Sequence, residues 1–239
     1  MSQGFIGEML GTMVLILLGN GVVANVLLAG SKGNGGGWIT ITAGWGFAVL
    51  AGVVVAIAAG SQGHINPAVT LAFAYASGDA SHVVPYIAGQ FAGAFLGATL
   101  VWLSYLAHWS KTEDVGLKLA CYSTGPAIRD TKANLLTEAI GTFVLVFGVI
   151  AIFSKSVGTT GALGPIMVGF LVWGIGLSLG GPTGYALNPA RDLGPRIAHA
   201  VLPIAGKGGS DWGYSWIPVA GPIVGGVLAI VVSKAVGLG

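Results

Sequence analysis

The chain has 239 residues, of which 54% are hydrophobic and 8% are charged, and its formal net charge is +2. Because a soluble domain devotes about a quarter of its residues to charged side chains, this composition excludes a soluble globular protein and predicts an integral membrane protein. The basic residues form no cluster, which argues against nucleic-acid binding, and the single cysteine, Cys121, cannot form an internal disulfide or a cysteine-based metal site.

Six apolar stretches are long enough to cross a bilayer, which requires about 20 residues. We predict membrane-spanning helices at approximately 5–28, 39–59, 83–107, 135–153, 163–179 and 216–233. Hydrocarbon offers a backbone no hydrogen-bonding partner, and the sequence lacks the alternation of barrel strands, so these stretches are expected to be helical. The predicted fold class is therefore an all-α membrane protein.

Two shorter segments follow the second and the fifth spans, and each begins with the same tripeptide. Asparagine is a favoured N-cap and proline is favoured at the first helical position, so each tripeptide predicts the start of a helix. The apolar segments that follow are too short to cross a bilayer, which predicts two re-entrant half-helices. The two boxes are Asn66, Pro67 and Ala68, and Asn188, Pro189 and Ala190.

The two boxes belong to an internal repeat. The pattern around Glu8 near the start of the first span recurs around Glu138 near the start of the fourth. We predict one channel domain, 1–239, made of two halves at about 1–107 and 134–239 and joined by the loop 108–133. Because each half has three spans, the second half is inverted, and an inverted repeat places its functional site at the bilayer midplane.

The paired boxes, the six spans, the glutamate in each half and Arg191 directly after the second box resemble the aquaporin superfamily of major intrinsic proteins. The resemblance covers essentially the whole chain. It implies that the half-helices meet end to end, with Asn66 and Asn188 at the centre of a single-file pore. Their positive dipole ends would oppose protons and cations, and their amides would donate to a passing oxygen. We expect a channel without cofactor, metal or enzymatic activity.

Positions near the second box resemble the glycerol facilitators, the aquaglyceroporin branch of that superfamily. Arg191 is followed by Asp192, and Gly176 stands where water-selective members usually have a pore-narrowing histidine. Tyr185 stands where glycerol facilitators typically have phenylalanine. A filter with these residues suits a small polyol, because aromatic rings face its carbon chain while the guanidinium donates to its hydroxyls.

The fourth filter position lies in the second span and is usually aromatic. Its Gly-Trp-Gly-Phe context favours Trp45, whereas strict counting back from the first box points to Gly46. The selectivity filter expected from the resemblance consists of Trp45, Gly176, Tyr185 and Arg191.

The segments before the two boxes are expected to line the pore with backbone carbonyl groups. These residues are Gln62, Gly63, His64 and Ile65, and Gly184, Tyr185, Ala186 and Leu187.

Charged groups inside apolar spans are functional candidates by default. We expect Glu8 and Glu138 to accept hydrogen bonds from these pore-lining segments, the alternative being that either lies among the lipid headgroups. For His64 a structural hydrogen bond is favoured over a proton relay. Asp192 is expected to anchor the second half-helix near its N-terminus, where the dipole favours an anion.

The predicted function is passive conduction of glycerol, other small uncharged solutes and water, with exclusion of protons and ions. A water-selective channel, a secondary transporter of small polyols or acids and a structural junction protein are the alternatives. The resemblance implies a homotetramer in the lipid bilayer of the cell membrane with cytoplasmic termini. Counting basic residues in short loops points to the opposite orientation. Lys155 and Lys234 lie on the side of the termini, whereas Lys32, Lys111, Lys118, Arg129, Lys132 and Lys207 lie opposite.

Overall fold

The computed structural model describes residues 3–159 and 161–238, and within them the chain is helical without β-strands. The helices of this described part are α1 (Gln3–Leu27), α2 (Gly37–Ala58), α3 (Pro67–Ser77), α4 (Val83–Ser104), α5 (Leu106–Trp109), α6 (Val115–Ala120), α7 (Thr131–Ile152), α8 (Leu163–Leu179), α9 (Pro189–Val201) and α10 (Ile217–Ala235). The predicted fold class, an all-α membrane protein, is confirmed.

The long helices have the length and composition of membrane spans. In the described residues, α1, α2, α4, α7 and α10 are long and apolar enough to cross a bilayer, with 19 to 25 residues each. The sixth predicted span, α8, has 17 residues. A helix of this length rises about 26 Å, which is slightly less than the hydrocarbon thickness of about 30 Å. It therefore lies at the lower limit for a complete crossing.

Most predicted helix boundaries lie within two residues of the structure, and the two that differ by three or four residues lie beside the central loop. The third span was predicted to reach residue 107, but α4 ends at Ser104 and a separate short helix, α5, follows. The fourth span was predicted from residue 135, but α7 begins at Thr131 because the Asp130 side chain accepts a hydrogen bond from the backbone N–H of Ala133 at 2.9 Å. The hydropathy pattern missed this turn because it is polar.

Both half-helices start where the sequence predicts. The shorter one, α3, has 11 residues and begins at Pro67, and α9 has 13 residues and begins at Pro189. At about 1.5 Å per residue, neither is long enough to span a bilayer.

The helix contacts repeat between the two parts of the chain. Helix α1 packs against α2 and α4, and correspondingly α7 packs against α8 and α10. Each half-helix packs against the last long helix of the other part, α3 on α10 and α9 on α4, while α2 contacts α8. Close approach depends on glycine: a Cβ on Gly93 would overlap the Met9 carbonyl, and a Cβ on Gly225 would overlap the Ala139 carbonyl.

The distribution of side chains is that of a membrane protein. Large apolar side chains such as Phe47, Leu136 and Phe170 are exposed on the outer surface, whereas Glu8 and Glu138 are fully buried. The alternative that either glutamate lies among headgroups is therefore wrong. Both carboxyl groups point into the centre of the helix bundle, where they reach the segments before the half-helices.

Candidate functional site

The two half-helices are capped in the same way by the asparagines that precede them. The Asn66 side-chain oxygen accepts a hydrogen bond from the backbone N–H of Ala68 at 2.9 Å. The Asn188 side-chain oxygen accepts from Ala190 at 3.0 Å and from Arg191 at 3.2 Å. Each cap satisfies backbone donors that the first turn of a helix leaves free, so each amide is held in a fixed orientation.

The same amides join the two half-helices to each other. Asn66 Nδ2 donates to the carbonyl oxygen of Leu187, and Asn188 Nδ2 donates to the carbonyl oxygen of Ile65, both at 2.8 Å. The N-termini of α3 and α9 are therefore adjacent, and their positive dipole ends face one region. Each amide has a second N–H besides the one used in these bonds.

The segments before the half-helices are held by the two buried glutamates. Glu8 accepts hydrogen bonds from the backbone N–H groups of His64 at 2.9 Å and Ile65 at 2.6 Å. Glu138 accepts from Ala186 at 3.0 Å and Leu187 at 2.9 Å. Because the N–H groups point toward the carboxyl groups, the carbonyl groups of these residues point away from the glutamates.

These segments also contain an unusual backbone conformation. Ile65, Tyr185 and Leu187 have φ values of 43°, 40° and 56°, and Gly63 occupies the same left-handed region at 72°. This conformation is uncommon for residues other than glycine, above all for a β-branched one, and costs about 1–3 kcal/mol per residue. The hydrogen bonds to Glu8 and Glu138 supply the constraint that holds it.

A second layer of polar contacts supports the first segment. The Gln90 side-chain N–H₂ donates to Glu8 at 2.7 Å and to the Thr70 hydroxyl at 3.0 Å. His64 Nδ1 lies 3.1 Å from the same hydroxyl, which places His64 in a structural hydrogen bond. Gln90 was not predicted as a supporting residue, although a glutamine in the middle of an apolar span is an available signal.

The residues expected to form a filter lie together at one end of this arrangement. The Arg191 guanidinium carbon is 3.9 Å from the centre of the Trp45 ring. A Cβ on Gly176 would lie 2.8 Å from Cζ of Tyr185, so the tyrosine ring occupies the space that a larger residue would need. The Trp38 indole donates to the Gly176 carbonyl at 3.0 Å and packs edge-on against Tyr185 at 5.8 Å between ring centroids. Trp38 was not predicted from the sequence.

Of the two alternatives in the second span, the structure brings Trp45 to this cluster. Gly46 faces α8 instead, where an added Cβ would lie 2.9 Å from the carbonyl oxygen of Gly169 and from Cβ of Trp173. Successive helical residues are rotated by about 100°, so only one of the two can face the bundle interior.

A cavity of about 740 Å³ connects these features. Its walls include both re-entrant segments, the two asparagines and three filter residues, whereas Gly184 and Gly176 do not line it directly. Apolar side chains of the long helices, such as Val53, Leu145 and Val172, form much of the remaining wall, so the lining combines polar and apolar groups. The lining residues from the predicted set are Trp45, Gln62, Gly63, His64, Ile65, Asn66, Tyr185, Ala186, Leu187, Asn188 and Arg191.

Asp79 and His82 lie at the other end of the cavity, in the loop after α3. The backbone N–H of Ser81 donates to the Asp79 carboxylate at 2.8 Å, and this bond lowers the pKa of Asp79 below its ordinary value. This mouth of the cavity therefore carries a negative charge at neutral pH.

Asp192 ties the second half-helix to the central loop. It is fully buried in the first turn of α9 and accepts from the Thr124 backbone N–H at 2.7 Å and from its hydroxyl at 2.6 Å. Arg196 Nε donates to Asp192 at 2.9 Å, and its terminal nitrogens reach the carbonyl groups of Thr124 and Ser210, each at 2.8 Å. The predicted anchoring position agrees with this contact set, but Thr124 and the role of Arg196 were missed because the contacts join distant parts of the chain.

Lysine side chains bind the far ends of both half-helices. Lys207 Nζ donates to the carbonyl groups of His199 and Ala200, each at 2.7 Å, and to Leu202 at 2.6 Å at the C-terminus of α9. Lys234 Nζ donates to the Ala76 carbonyl at 3.0 Å near the C-terminus of α3. Positive charge at these ends complements the negative end of each helix dipole.

Comparison with known proteins gives consistent matches over nearly the whole chain. The family model described as Major intrinsic protein matches residues 1–233. The probable glycerol uptake facilitator protein of Thermotoga maritima is 57% identical over 225 residues, covering 94% of this chain and 95% of that protein. Glycerol uptake facilitator protein 3 of Lactiplantibacillus plantarum is 58% identical over 224 residues, covering 93% and 92% respectively. The X-ray structure of the aquaglyceroporin from Plasmodium falciparum superposes with a TM-score of 0.86 at 30% identity, over 98% of this chain and 96% of that one.

Proposed function

The chain belongs to the major intrinsic protein family, and we propose that its central cavity is the conduction path of a passive channel for glycerol and other small uncharged solutes. The chain is an integral membrane protein and a channel, not an enzyme. The glycerol uptake facilitators of Thermotoga maritima and Lactiplantibacillus plantarum described above share more than half of their aligned residues with it.

One observation carries this proposal: the two half-helices, joined by the reciprocal bonds of Asn66 and Asn188, line the same cavity as Trp45, Tyr185 and Arg191. A solute that follows this cavity meets donors from the two amides and from the guanidinium. It also passes the backbone carbonyl groups of residues whose own N–H groups donate to Glu8 or Glu138. Such a lining replaces the hydration shell of a polyol.

We assign the selectivity filter to Trp45, Gly176, Tyr185 and Arg191. The aromatic rings and the aliphatic wall suit the carbon chain of a polyol, and Arg191 suits its hydroxyl groups. The absence of a side chain at Gly176 leaves room that Tyr185 partly fills. The backbone carbonyl groups of 62–65 and 185–187 continue the polar lining of the path.

The carbonyl groups of Ile65 and Leu187 have a further role in this assignment, because each also accepts a bond from the opposite asparagine. Each offers only its remaining lone pair to a solute.

We further propose that the channel conducts water and excludes protons and cations. The support is electrostatic, since two helix N-termini meet at the centre and Arg191 adds a fixed positive charge nearby. A cation would lose its hydration at a site of positive potential.

The remaining proposals concern assembly and placement. We propose a single channel domain formed by inverted halves at about 1–107 and 134–239. We also propose a homotetramer in the lipid bilayer of the cell membrane, with cytoplasmic termini. Protease access to a terminal tag in oriented membranes tests the orientation against the opposite count of basic residues.

Glycerol and water fluxes in proteoliposomes test the proposed function. We expect linear, non-saturating glycerol flux that is independent of a proton gradient, together with water flux. Arg191→Ala should change the relative rates of the two. Water flux without glycerol flux would identify a water-selective channel instead, and saturable, proton-coupled flux would identify a carrier.

A further inference from the structure

The Tyr185 ring lies against a face of α8 that is formed by two glycines one helical turn apart. A Cβ on Gly176 would lie 2.8 Å from Cζ of this ring, and a Cβ on Gly180, directly after the last residue of α8, would lie 2.5 Å from its Cδ1. Carbon atoms in contact are normally about 3.5–4.0 Å apart, so a side chain at either position would push the ring away. The ring therefore packs on the backbone at the end of α8.

Trp38, at the start of α2, binds the same end of α8. Its indole Nε1 donates a hydrogen bond to the Gly176 carbonyl group at 3.0 Å. This carbonyl group is one of the last four of α8, which a helix leaves without an intrahelical partner. A Cβ on Gly180 would also lie 2.8 Å from Cζ2 of the indole. The indole thus holds the last turn of α8 through a hydrogen bond and a close contact.

The same indole also contacts the Tyr185 ring. The two ring centroids are 5.8 Å apart and the ring planes meet at 79°, which is an edge-to-face arrangement that aromatic pairs favour. The Tyr185 ring is therefore confined by the glycine face of α8 and by the Trp38 indole.

Trp38 acts on this ring from the side away from the proposed path. Tyr185 lines the cavity, whereas Trp38, Gly176 and Gly180 are not among its lining residues. A smaller side chain at position 38 would therefore open space behind the tyrosine ring and not in the cavity. The ring would relax into this space and the filter would become wider.

We propose that Trp38 is a positioning residue that sets the width of the filter, because it fixes the end of α8 and the Tyr185 ring that packs there. Its consequence is a size limit: a three-carbon polyol passes, and a bulkier four-carbon polyol is retarded. Trp38 does not touch the solute. This inference rests on the proposed function, because the size limit matters only if the filter lies on the conduction path.

The test compares the fluxes of erythritol and glycerol in proteoliposomes, after subtraction of protein-free vesicles. Trp38→Phe keeps an aromatic ring and removes the N–H donor, and Trp38→Leu removes both. The matched control is Trp109→Phe, which removes an indole that donates to the Trp102 carbonyl group at 2.9 Å, at a position that does not line the cavity.

We expect the erythritol-to-glycerol rate ratio to rise about fivefold in Trp38→Phe, as for loss of one neutral hydrogen bond. The rise should be larger in Trp38→Leu, and the ratio should stay unchanged in Trp109→Phe. A role of Trp38 only as an anchor at the membrane interface would leave the ratio unchanged, because such a role does not depend on the size of the solute.

The inference is wrong if the ratio in Trp38→Phe stays the same or falls, if Trp109→Phe raises it equally, or if Trp38→Phe abolishes both fluxes. If the unaltered protein conducts no glycerol, the proposed function itself fails. If the unaltered protein conducts glycerol and the ratio does not respond to either Trp38 variant, only the positioning role fails. Because the measured quantity is a ratio, differences in the amount of reconstituted protein cancel.

Discussion

Asn66 and Asn188 make equivalent bonds across the centre of the molecule, each donating at 2.8 Å to the carbonyl group that directly precedes the other. Each of them also caps its own half-helix. A single amide thus connects a helix start to the backbone of the opposite half. This reciprocity makes the junction between the half-helices a unit in which neither part is positioned independently.

Replacement of either asparagine by alanine should destabilise this junction. Asn188→Ala removes a cap, worth about 1 kcal/mol, and the bond to Ile65, worth about another 1 kcal/mol. We expect a lower thermal unfolding midpoint in detergent, and a similar decrease for Asn66→Ala. Asp114→Ala is the control, since Asp114 caps the short exposed helix α6 without joining the two halves. A decrease as large in the control would contradict the importance of the cross-connection.

Glu138→Gln should disturb the second pore-lining segment. The carboxyl group accepts two backbone N–H groups, whereas an amide accepts only with its oxygen and turns an N–H₂ toward the other donor. We expect a loss of about 2 kcal/mol of stability and a clear decrease in glycerol flux in proteoliposomes. Glu113→Gln, at an exposed position, should leave both measurements unchanged. Normal glycerol flux in Glu138→Gln would show that the carbonyl groups do not need this support.

Gly176→Ala tests the fit between the filter glycine and the tyrosine ring. The new methyl group would stand 2.8 Å from Tyr185 Cζ, so the ring must move. We expect glycerol flux to fall about tenfold, equivalent to about 1.4 kcal/mol in barrier height, and water flux to fall less, because water is smaller. Gly174→Ala is the matched control on the same helix, since an added Cβ there meets no atom within 4 Å. Equal effects of the two variants would mean that helix α8, and not the filter, is responsible.

Thr124→Val should loosen the connection between the central loop and the second half-helix. The substitution keeps the shape and removes the hydroxyl that donates to Asp192 at 2.6 Å. A hydrogen bond to a buried carboxylate is worth about 2 kcal/mol, so we expect a lower unfolding midpoint and reduced glycerol flux through displacement of Arg191, which directly precedes Asp192. Thr137→Val removes a hydroxyl that bonds within its own helix and should have little effect. The idea fails if Thr124→Val behaves like this control.

Local features of the sequence were sufficient to predict much of the architecture. The long helices follow from hydropathy, and the starts of the half-helices follow from Asn-Pro at each box, because capping is decided by neighbouring residues. The start of α7 was misplaced by four residues because its cap, Asp130, lies in a polar turn that hydropathy does not mark. The family resemblance supplied the candidate filter, which no local pattern contains.

Contacts between residues far apart in the chain could not be predicted from the sequence. The partnership of Gln90 with Glu8, of Thr124 with Asp192 and of Trp38 with Tyr185 joins residues far apart in the chain. The orientation of Trp45, and not Gly46, toward Arg191 depends on the rotation of α2 against α8. The sequence by itself determined that the chain forms membrane helices with two half-helices, because solvation and capping act locally. Only the tertiary structure decided which polar groups pair across the helix bundle and which side chains meet at the filter, because that depends on how the packed helices bring distant side chains together.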